Sequence, residues 1–362
     1  MSPSQRFKLG VFPDFREEGW PSMDLCAEML VNNLPAQGCD VTAVASRYRR
    51  LTGQRNLDRL INRMLLYPRA AGRLSETFDA FHIVDHSYAQ LVHALPPRRA
   101  GVFCHDLDTF RSVLDPPSDP RPRWFRAMTR RILRGLQQAA VVFYTTEGIR
   151  EQILEHALLP ADRLVKCPLG IAPEFKIDPA SSSLFGQPYL LHVGSCIARK
   201  RIDVLLNVLA DVRRTHPQVQ LIKAGGAFTA EQDGMIDRMS LRGQINVMTG
   251  VSRATLARLY QHAAAVLQPS DAEGFGLPVV EALACGATVV ASDIPVLREV
   301  GGDAALYCPV ADVPSFSDAV RSVLENISRA PMLSVKLTQA GRYSWAEHAR
   351  VIAQAYENLL HH

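Results

Sequence analysis

The sequence predicts an α/β chain of two Rossmann-like domains, each built on a parallel sheet. Three observations carry that expectation. At 362 residues and 47% hydrophobic content, the chain is long enough for two domains and supplies two cores. Short apolar runs alternate with helical patterns over most of its length, which implies parallel strands joined by crossover helices. Asp178-Pro-Ala-Ser-Ser-Ser, followed by Gly186-Gln-Pro, reads as a boundary between two such series.

The first series occupies residues 1–178. Strands are expected at Phe7–Phe12, Val41–Ala45, Ala80–Val84, Gly101–Cys104, Val141–Thr145 and Leu164–Cys167. Ligands of such sheets bind beyond the carboxyl ends of the strands, which selects four loops. The first is Phe15 to Asp24, where Gly19, Trp20 and Pro21 lead into a helix with Ser22 as a suitable N-cap. The second is Asp85-His86-Ser87, where the histidine is either structural or part of an acceptor site. The third is Cys104-His105-Asp106-Leu107-Asp108, which ends a strand at His105. It also spells D-x-D, a pattern that fits either a divalent metal or a plain turn. The fourth, Thr145-Thr146-Glu147, opens a helix, and an N-cap explains it.

The net charge of +4 lies wholly in this half. Residues 1–178 hold 24 Lys+Arg and 20 Asp+Glu, and the remainder holds 16 of each. Arginines concentrate in Arg47–Arg73 and in Arg121–Arg134, the latter interleaved with Trp124, Phe125, Met128, Ile132 and Leu133. A basic amphipathic helix can lie on an anionic membrane; a solvated helix with its apolar side in the core explains the pattern as well. No nucleic-acid motif is present. The seven cysteines are scattered and never form C-x-x-C, which points to a reducing cytosol without structural zinc. No apolar stretch approaches the roughly 20 residues that span a bilayer, and the N-terminal stretch does not read as a signal peptide. A cytoplasmic protein is expected.

In the second series, residues 179–343, strands are expected at Tyr189–Gly194, Val219–Ala224, Ile245–Met248, Ala264–Gln268, Thr288–Ala291 and Ala305–Cys308. Gly194 and Ser195 lead to Arg199-Lys200-Arg201 and a helix over Val204–Arg214. Cations at a helix start are disfavoured by the dipole unless an anion is bound. After the fourth strand comes Glu273-Gly274-Phe275-Gly276-Leu277-Pro278-Val279-Val280-Glu281. Its glycines break any helix, and Pro278 suits the first position of a new one, which should stop at Gly286. Glycines admit a ligand close to the backbone, and the amides of a helix start favour a phosphate. The two flanking carboxylates suit the hydroxyls of a sugar or ribose. Ser344-Trp345-Ala346-Glu347 has the capping-box pattern and opens a last helix over residues 344–362.

The string from Glu273 to Glu281 resembles the signature of family-four retaining glycosyltransferases (glycosyl transferases group 1). The Val193-Gly194 loop, the Arg199-Lys200 pair with its Leu-rich helix, His105-Asp106, and Pro168-Leu169-Gly170-Ile171 resemble the same family, over nearly the whole chain. The resemblance implies the GT-B fold: two Rossmann-like domains facing each other across a cleft, with the C-terminal helix crossing back. Residues 1–178 would bind acceptor, 179–343 sugar nucleotide, and 344–362 would pack on the first domain. The implied activity moves a hexose from a UDP- or GDP-sugar to a hydroxyl acceptor, without metal or cofactor, in glycan, polysaccharide or glycolipid synthesis. Attack would occur on the face the leaving phosphate departs from, and that phosphate would take the acceptor proton.

The same resemblance assigns Glu273 and His105 to the donor sugar, Arg199 and Lys200 to the departing diphosphate, and Glu281 to the ribose. Gly19, Gly194, Ser195, Pro278 and the amides of Gly274, Phe275, Gly276, Leu277 and Val279 would serve sugar and phosphates. Val247 and Met248 would meet the base through their backbone. Trp20, Ser22, His86 and Asp106 are weaker acceptor-site candidates. Leu169 replaces the family's asparagine and receives no role. A GT-B epimerase or hydrolase, or a non-catalytic sugar-nucleotide sensor, would share most of these residues.

Overall fold

Twelve parallel strands account for the alternation in the sequence. The structure is a computed structural model that describes residues 6–326 and 330–361. The first five residues of the stretch read for a signal peptide, and the last residue of the 344–362 helix, lie outside it. The first sheet contains β1 (Lys8–Phe12), β2 (Asp40–Ala43), β3 (Ala80–Ile83), β4 (Ala100–Cys104), β5 (Val141–Tyr144) and β6 (Leu164–Lys166), in the order β2-β1-β3-β4-β5-β6. The second contains β7 (Tyr189–Gly194), β8 (Gln220–Gly225), β9 (Ile245–Met248), β10 (Ala265–Gln268), β11 (Val289–Ser292) and β12 (Leu306–Cys308), in the order β12-β11-β10-β7-β8-β9. Every expected strand is present, its ends moved by two residues at most. β3, β4 and β5 are buried along their whole length, which is why they read as continuous apolar runs.

The chain packs as two units. One runs to Gly170 and includes the helix Trp345–His361; the other is Ile171–Ser344. The boundary therefore lies eight residues before the expected 178. Residues 171–178 are irregular but already belong to the second unit. Glu174 pairs with Arg253 at 2.9 Å, Phe175 meets Tyr260 edge-on at 5.8 Å, and the Lys176 carbonyl accepts from Gln261 at 2.7 Å. The Pro- and Ser-rich composition marks the absence of regular structure, not the absence of contacts.

The last helix is part of the first unit's core. Tyr356 is fully buried, and its hydroxyl donates to the Phe81 carbonyl at 2.9 Å. The same hydroxyl lies 3.1 Å from His82 Nδ1, which must then be the donor. Burial pushes the His82 imidazole down to about 3, so it is neutral. A Cβ at Gly101 would lie 2.3 Å from the Tyr356 oxygen, so the strand carries glycine where the tyrosine crosses it. At the helix start, His348 Nδ1 sits 2.9 Å from the Pro168 carbonyl.

Two expected helix starts outside the Glu273–Glu281 segment differ. Pro21 opens the first helix, Pro21–Asn33, so the residue at the cap is Trp20, and Ser22 lies inside the helix rather than capping it. The helix expected from Val204 runs over Ile202–Val212, because Arg201 takes a left-handed conformation (φ 47°) that ends the preceding turn. Its buried residues include Val204, Leu205, Val208, Leu209 and Val212.

Candidate active site

The second unit brings three of the four expected catalytic side chains into one cluster. Glu273 follows β10, and Arg199 and Lys200 follow β7, the neighbouring strand. Lys200 Nζ lies 2.5 Å from Glu273 Oε1, and an Arg199 guanidinium nitrogen lies 3.0 Å from Oε2. Arg199 also donates to the Ala272 carbonyl at 2.8 Å. Gln268, the last residue of β10, donates its amide to Glu273 Oε1 and to Ser270 Oγ. Burial alone would raise the Glu273 pKa, but Lys200 and then Arg199 outweigh it and hold the carboxylate below its ordinary value. The glutamate is thus a fixed, ionised acceptor with one cation on each of its oxygens. Gln268 and Ser270 escaped the sequence reading; a glutamine ending the apolar run Ala265–Gln268 was the available signal.

The glycine turn then aims a helix start. Gly276 caps the helix Leu277–Ala284 with φ 98°, a conformation only glycine adopts without strain. The helix begins one residue earlier than expected, with Pro278 at its second position. Phe275 is buried edge-on against Tyr343 at 5.4 Å, which anchors the turn. Gly274, Leu277 and Pro278 are partly exposed, and Val279 is buried.

Glu281 lies in the second turn of this helix. Its Oε2 accepts from the Tyr260 hydroxyl at 2.9 Å. Burial pushes its pKa up to about 7, against the opposing effects of Tyr260 and Arg253. Tyr260 takes one acceptor site of Oε2, and the carboxylate keeps further acceptor capacity for a ligand. Gly194 and Ser195 end β7 beside Lys200, whereas Val247 and Met248 end β9, with β8 between them and β7.

The remaining candidates belong to the first unit. His105, His86 and Asp106 come together at the ends of β3 and β4. His86 Nδ1 lies 3.0 Å from Asp85 and its Nε2 lies 3.4 Å from Asp106. Burial disfavours its charge, but Asp85 and then Asp106 outweigh burial and raise its pKa to about 10. Asp106 also accepts from the Asp108 amide at 3.0 Å, which makes the D-x-D segment a side-chain-capped turn.

His105 stacks on Phe103 at 4.5 Å and points Nε2 at the Val84 carbonyl, 2.9 Å away. A carbonyl only accepts, so Nε2 carries the proton, and burial keeps the ring neutral. Its Nδ1 can therefore accept and not donate. Gly19 (φ 74°) ends a short turn, followed by the half-exposed Trp20 and exposed Ser22. Glu18 beside them holds Arg59 and Arg63 at 2.7 and 3.3 Å, which explains part of the first arginine-rich stretch. Thr146 occupies a helix N-cap position, but its side chain makes no capping bond.

Known proteins similar to this chain fall into one group. The model of the glycosyl transferases group 1 matches residues 175–342, and that of Glycosyltransferase Family 4 matches residues 25–175. The chain is 29% identical over 310 residues to O-antigen chain mannosyltransferase B of Escherichia coli, covering 82% of this chain and 79% of that one. Sucrose-phosphate synthase from Thermosynechococcus elongatus superposes with a TM-score of 0.77 at 19% identity, over 98% and 99% of the two chains. HepE from Anabaena, solved with UDP-glucose, gives 0.75 at 15% identity, over 97% and 99%.

Proposed function

The chain belongs to the group 1, family 4 glycosyltransferases of GT-B fold, and from that premise we propose that it moves a hexose from a nucleoside diphosphate sugar to a hydroxyl acceptor with retention. The observation that carries the donor assignment is the placement of Arg199 and Lys200 together on Glu273. A forked guanidinium and a compact ammonium suit a diphosphate whose charge grows as the sugar departs. Glu273, fixed between them, faces the sugar hydroxyls, and the helix-start amides after Gly276 serve the phosphates. Glu281 Oε1 accepts from the ribose. In the first unit, His105 Nδ1 accepts from a substrate hydroxyl without moving a proton.

The reaction needs neither metal nor cofactor in this reading, since the cations of the cluster supply the charge a metal would. HepE bound to UDP-glucose supports a sugar-nucleotide donor, UDP- or GDP-linked. The O-antigen relative supports an acceptor in polysaccharide or glycolipid synthesis. No helix among the described residues is long and apolar enough to cross a membrane. On the helix Arg123–Gln138, Ile132, Leu133 and Leu136 face the core, while Trp124 is 63% exposed beside outward arginines. That face suits peripheral contact with anionic lipid on the cytoplasmic side. Cosedimentation with vesicles of phosphatidylglycerol should fall for Trp124→Ser; equal binding by both proteins removes this contact.

The test of the central reading is a panel of UDP- and GDP-sugars, screened for stabilisation and then for nucleotide release with and without glycan acceptors. Release that requires acceptor is expected. Release of free sugar without acceptor would favour a hydrolase, and binding without release a sensor.

A further inference from the structure

β8 contains Leu221-Ile222-Lys223-Ala224, and Lys223 is fully buried. A buried lysine ordinarily has a carboxylate partner, because an isolated charge is costly to desolvate. Among the described residues none pairs with Lys223. Its ammonium donates instead to three carbonyls: Gly194 at 2.6 Å, Gly226 at 3.0 Å and Ala224 at 3.4 Å. Cys196 Sγ also donates to the Gly226 carbonyl, at 3.3 Å.

These carbonyls belong to the paired ends of β7 and β8 and to the residue that follows β8. A Cβ at Gly225 would lie 2.4 Å from the Gly194 oxygen, so only glycine permits the approach. In a trans peptide the N–H points opposite to the C=O of the same plane. Drawing the Gly194 and Gly226 carbonyls onto Lys223 therefore turns the N–H groups of Ser195 and Ala227 the other way. Ser195 is partly exposed and Ala227 exposed. Two such N–H groups over a buried cation have the chemistry of an anion seat. Lys200 adjoins it: a Cβ at Gly194 would lie 3.8 Å from Lys200 Nζ. Arg199, Lys200 and Lys223 against Glu273 leave two positive charges, which the two phosphates of a nucleoside diphosphate sugar would cancel.

We propose that Lys223 is a positioning residue for the donor diphosphate, orienting the Gly194–Ser195 and Gly226–Ala227 peptides toward it and adding an uncompensated charge behind them. This rests on the donor-site reading above.

The test is affinity for UDP and GDP by calorimetry, and for uridine and guanosine by saturation-transfer NMR, in wild type, Lys223→Met and Lys200→Ala. Lys223→Met keeps the apolar stem and removes the charge and its three hydrogen bonds. It should lose diphosphate affinity by about tenfold while binding nucleoside as before. Unchanged diphosphate affinity in Lys223→Met with a loss in Lys200→Ala overturns this proposal alone. An equal loss for nucleoside and diphosphate makes Lys223 merely structural and also overturns it. A wild type that binds neither diphosphate overturns the donor-site reading itself. If Lys223→Met does not fold, Ala227→Pro decides the same way, since it deletes one exposed N–H and leaves the lysine in place. A severalfold loss confined to the diphosphate supports the proposal, and no loss refutes it.

Discussion

Replacing Glu281 by glutamine should make the protein more stable and a poorer binder of its donor, and both effects can be sized from the structure. Burial raises the carboxyl from its ordinary 4.5 to about 7. A folded-state pKa above the unfolded one means that folding takes up a proton. The stability tied to that proton is fully present below pH 4.5 and is lost as pH rises through 7. The whole shift corresponds to about 3 kcal/mol, of which about 2.5 kcal/mol falls between pH 5 and pH 8. Glutamine is never charged and can still accept from the Tyr260 hydroxyl with its amide oxygen.

The variant's advantage over wild type, measured by urea unfolding at intervals from pH 5 to pH 8, should therefore grow by about that amount and level off above pH 7. Donor binding should move the opposite way. A charged hydrogen bond is worth roughly 1.5–3 kcal/mol, so donor affinity at pH 8 should fall about tenfold or more. Ribose and 2′-deoxyribose donors should be discriminated by wild type and much less by the variant. In wild type, affinity should weaken as pH drops below 7, by at most about tenfold per unit, because binding favours the ionised carboxylate. A stability difference that does not change with pH would refute the buried-proton argument. Equal ribose discrimination in both proteins would remove Glu281 from the ribose site.

Lys200→Ala should lower turnover by about two orders of magnitude, the effect of losing one contact to developing charge, with the fold retained by circular dichroism; near-normal turnover would take Lys200 out of the phosphate site. Activity should persist in excess EDTA, since Asp106 is engaged by the Asp108 amide and His86; loss of activity that magnesium or manganese restores would make D-x-D a metal site. Tyr356→Phe should cost about 1–3 kcal/mol, because the Phe81 carbonyl and the His82 N–H lose a buried partner; an unchanged urea midpoint would show that water or a neighbour replaces the hydroxyl.

The sheets were legible because parallel strands are buried on both faces and leave unbroken apolar runs. The residues proposed for the donor site stood out in one string, since the glycines, the proline and the two glutamates each answer a backbone or hydrogen-bonding need within nine positions. Their pairing was not. Glu273 is more than seventy residues from Arg199 and Lys200, and nothing local says that the cations rest on it. Tyr260, which donates to Glu281, sits on a helix whose pattern explains it as core. Lys223 hides inside an apolar strand, and its meaning depends on carbonyls from β7. Ser22 misled because cap propensity and proline preference competed at adjacent positions, and the proline prevailed.

The return of Trp345–His361 to the first unit also has a consequence for biosynthesis. The first unit is encoded in two pieces separated by residues 171–344, which is 344 − 170 = 174 residues. Its core lacks Tyr356 until residues 171–344 have been made. At about 5–20 residues per second the ribosome needs roughly ten to thirty-five seconds to cross that gap. The second unit, contiguous in sequence, should complete its fold first, even though it is made later. Protease digestion of nascent chains arrested just before Trp345 would reveal the order: a resistant second unit beside a cleavable first one is the outcome this topology requires.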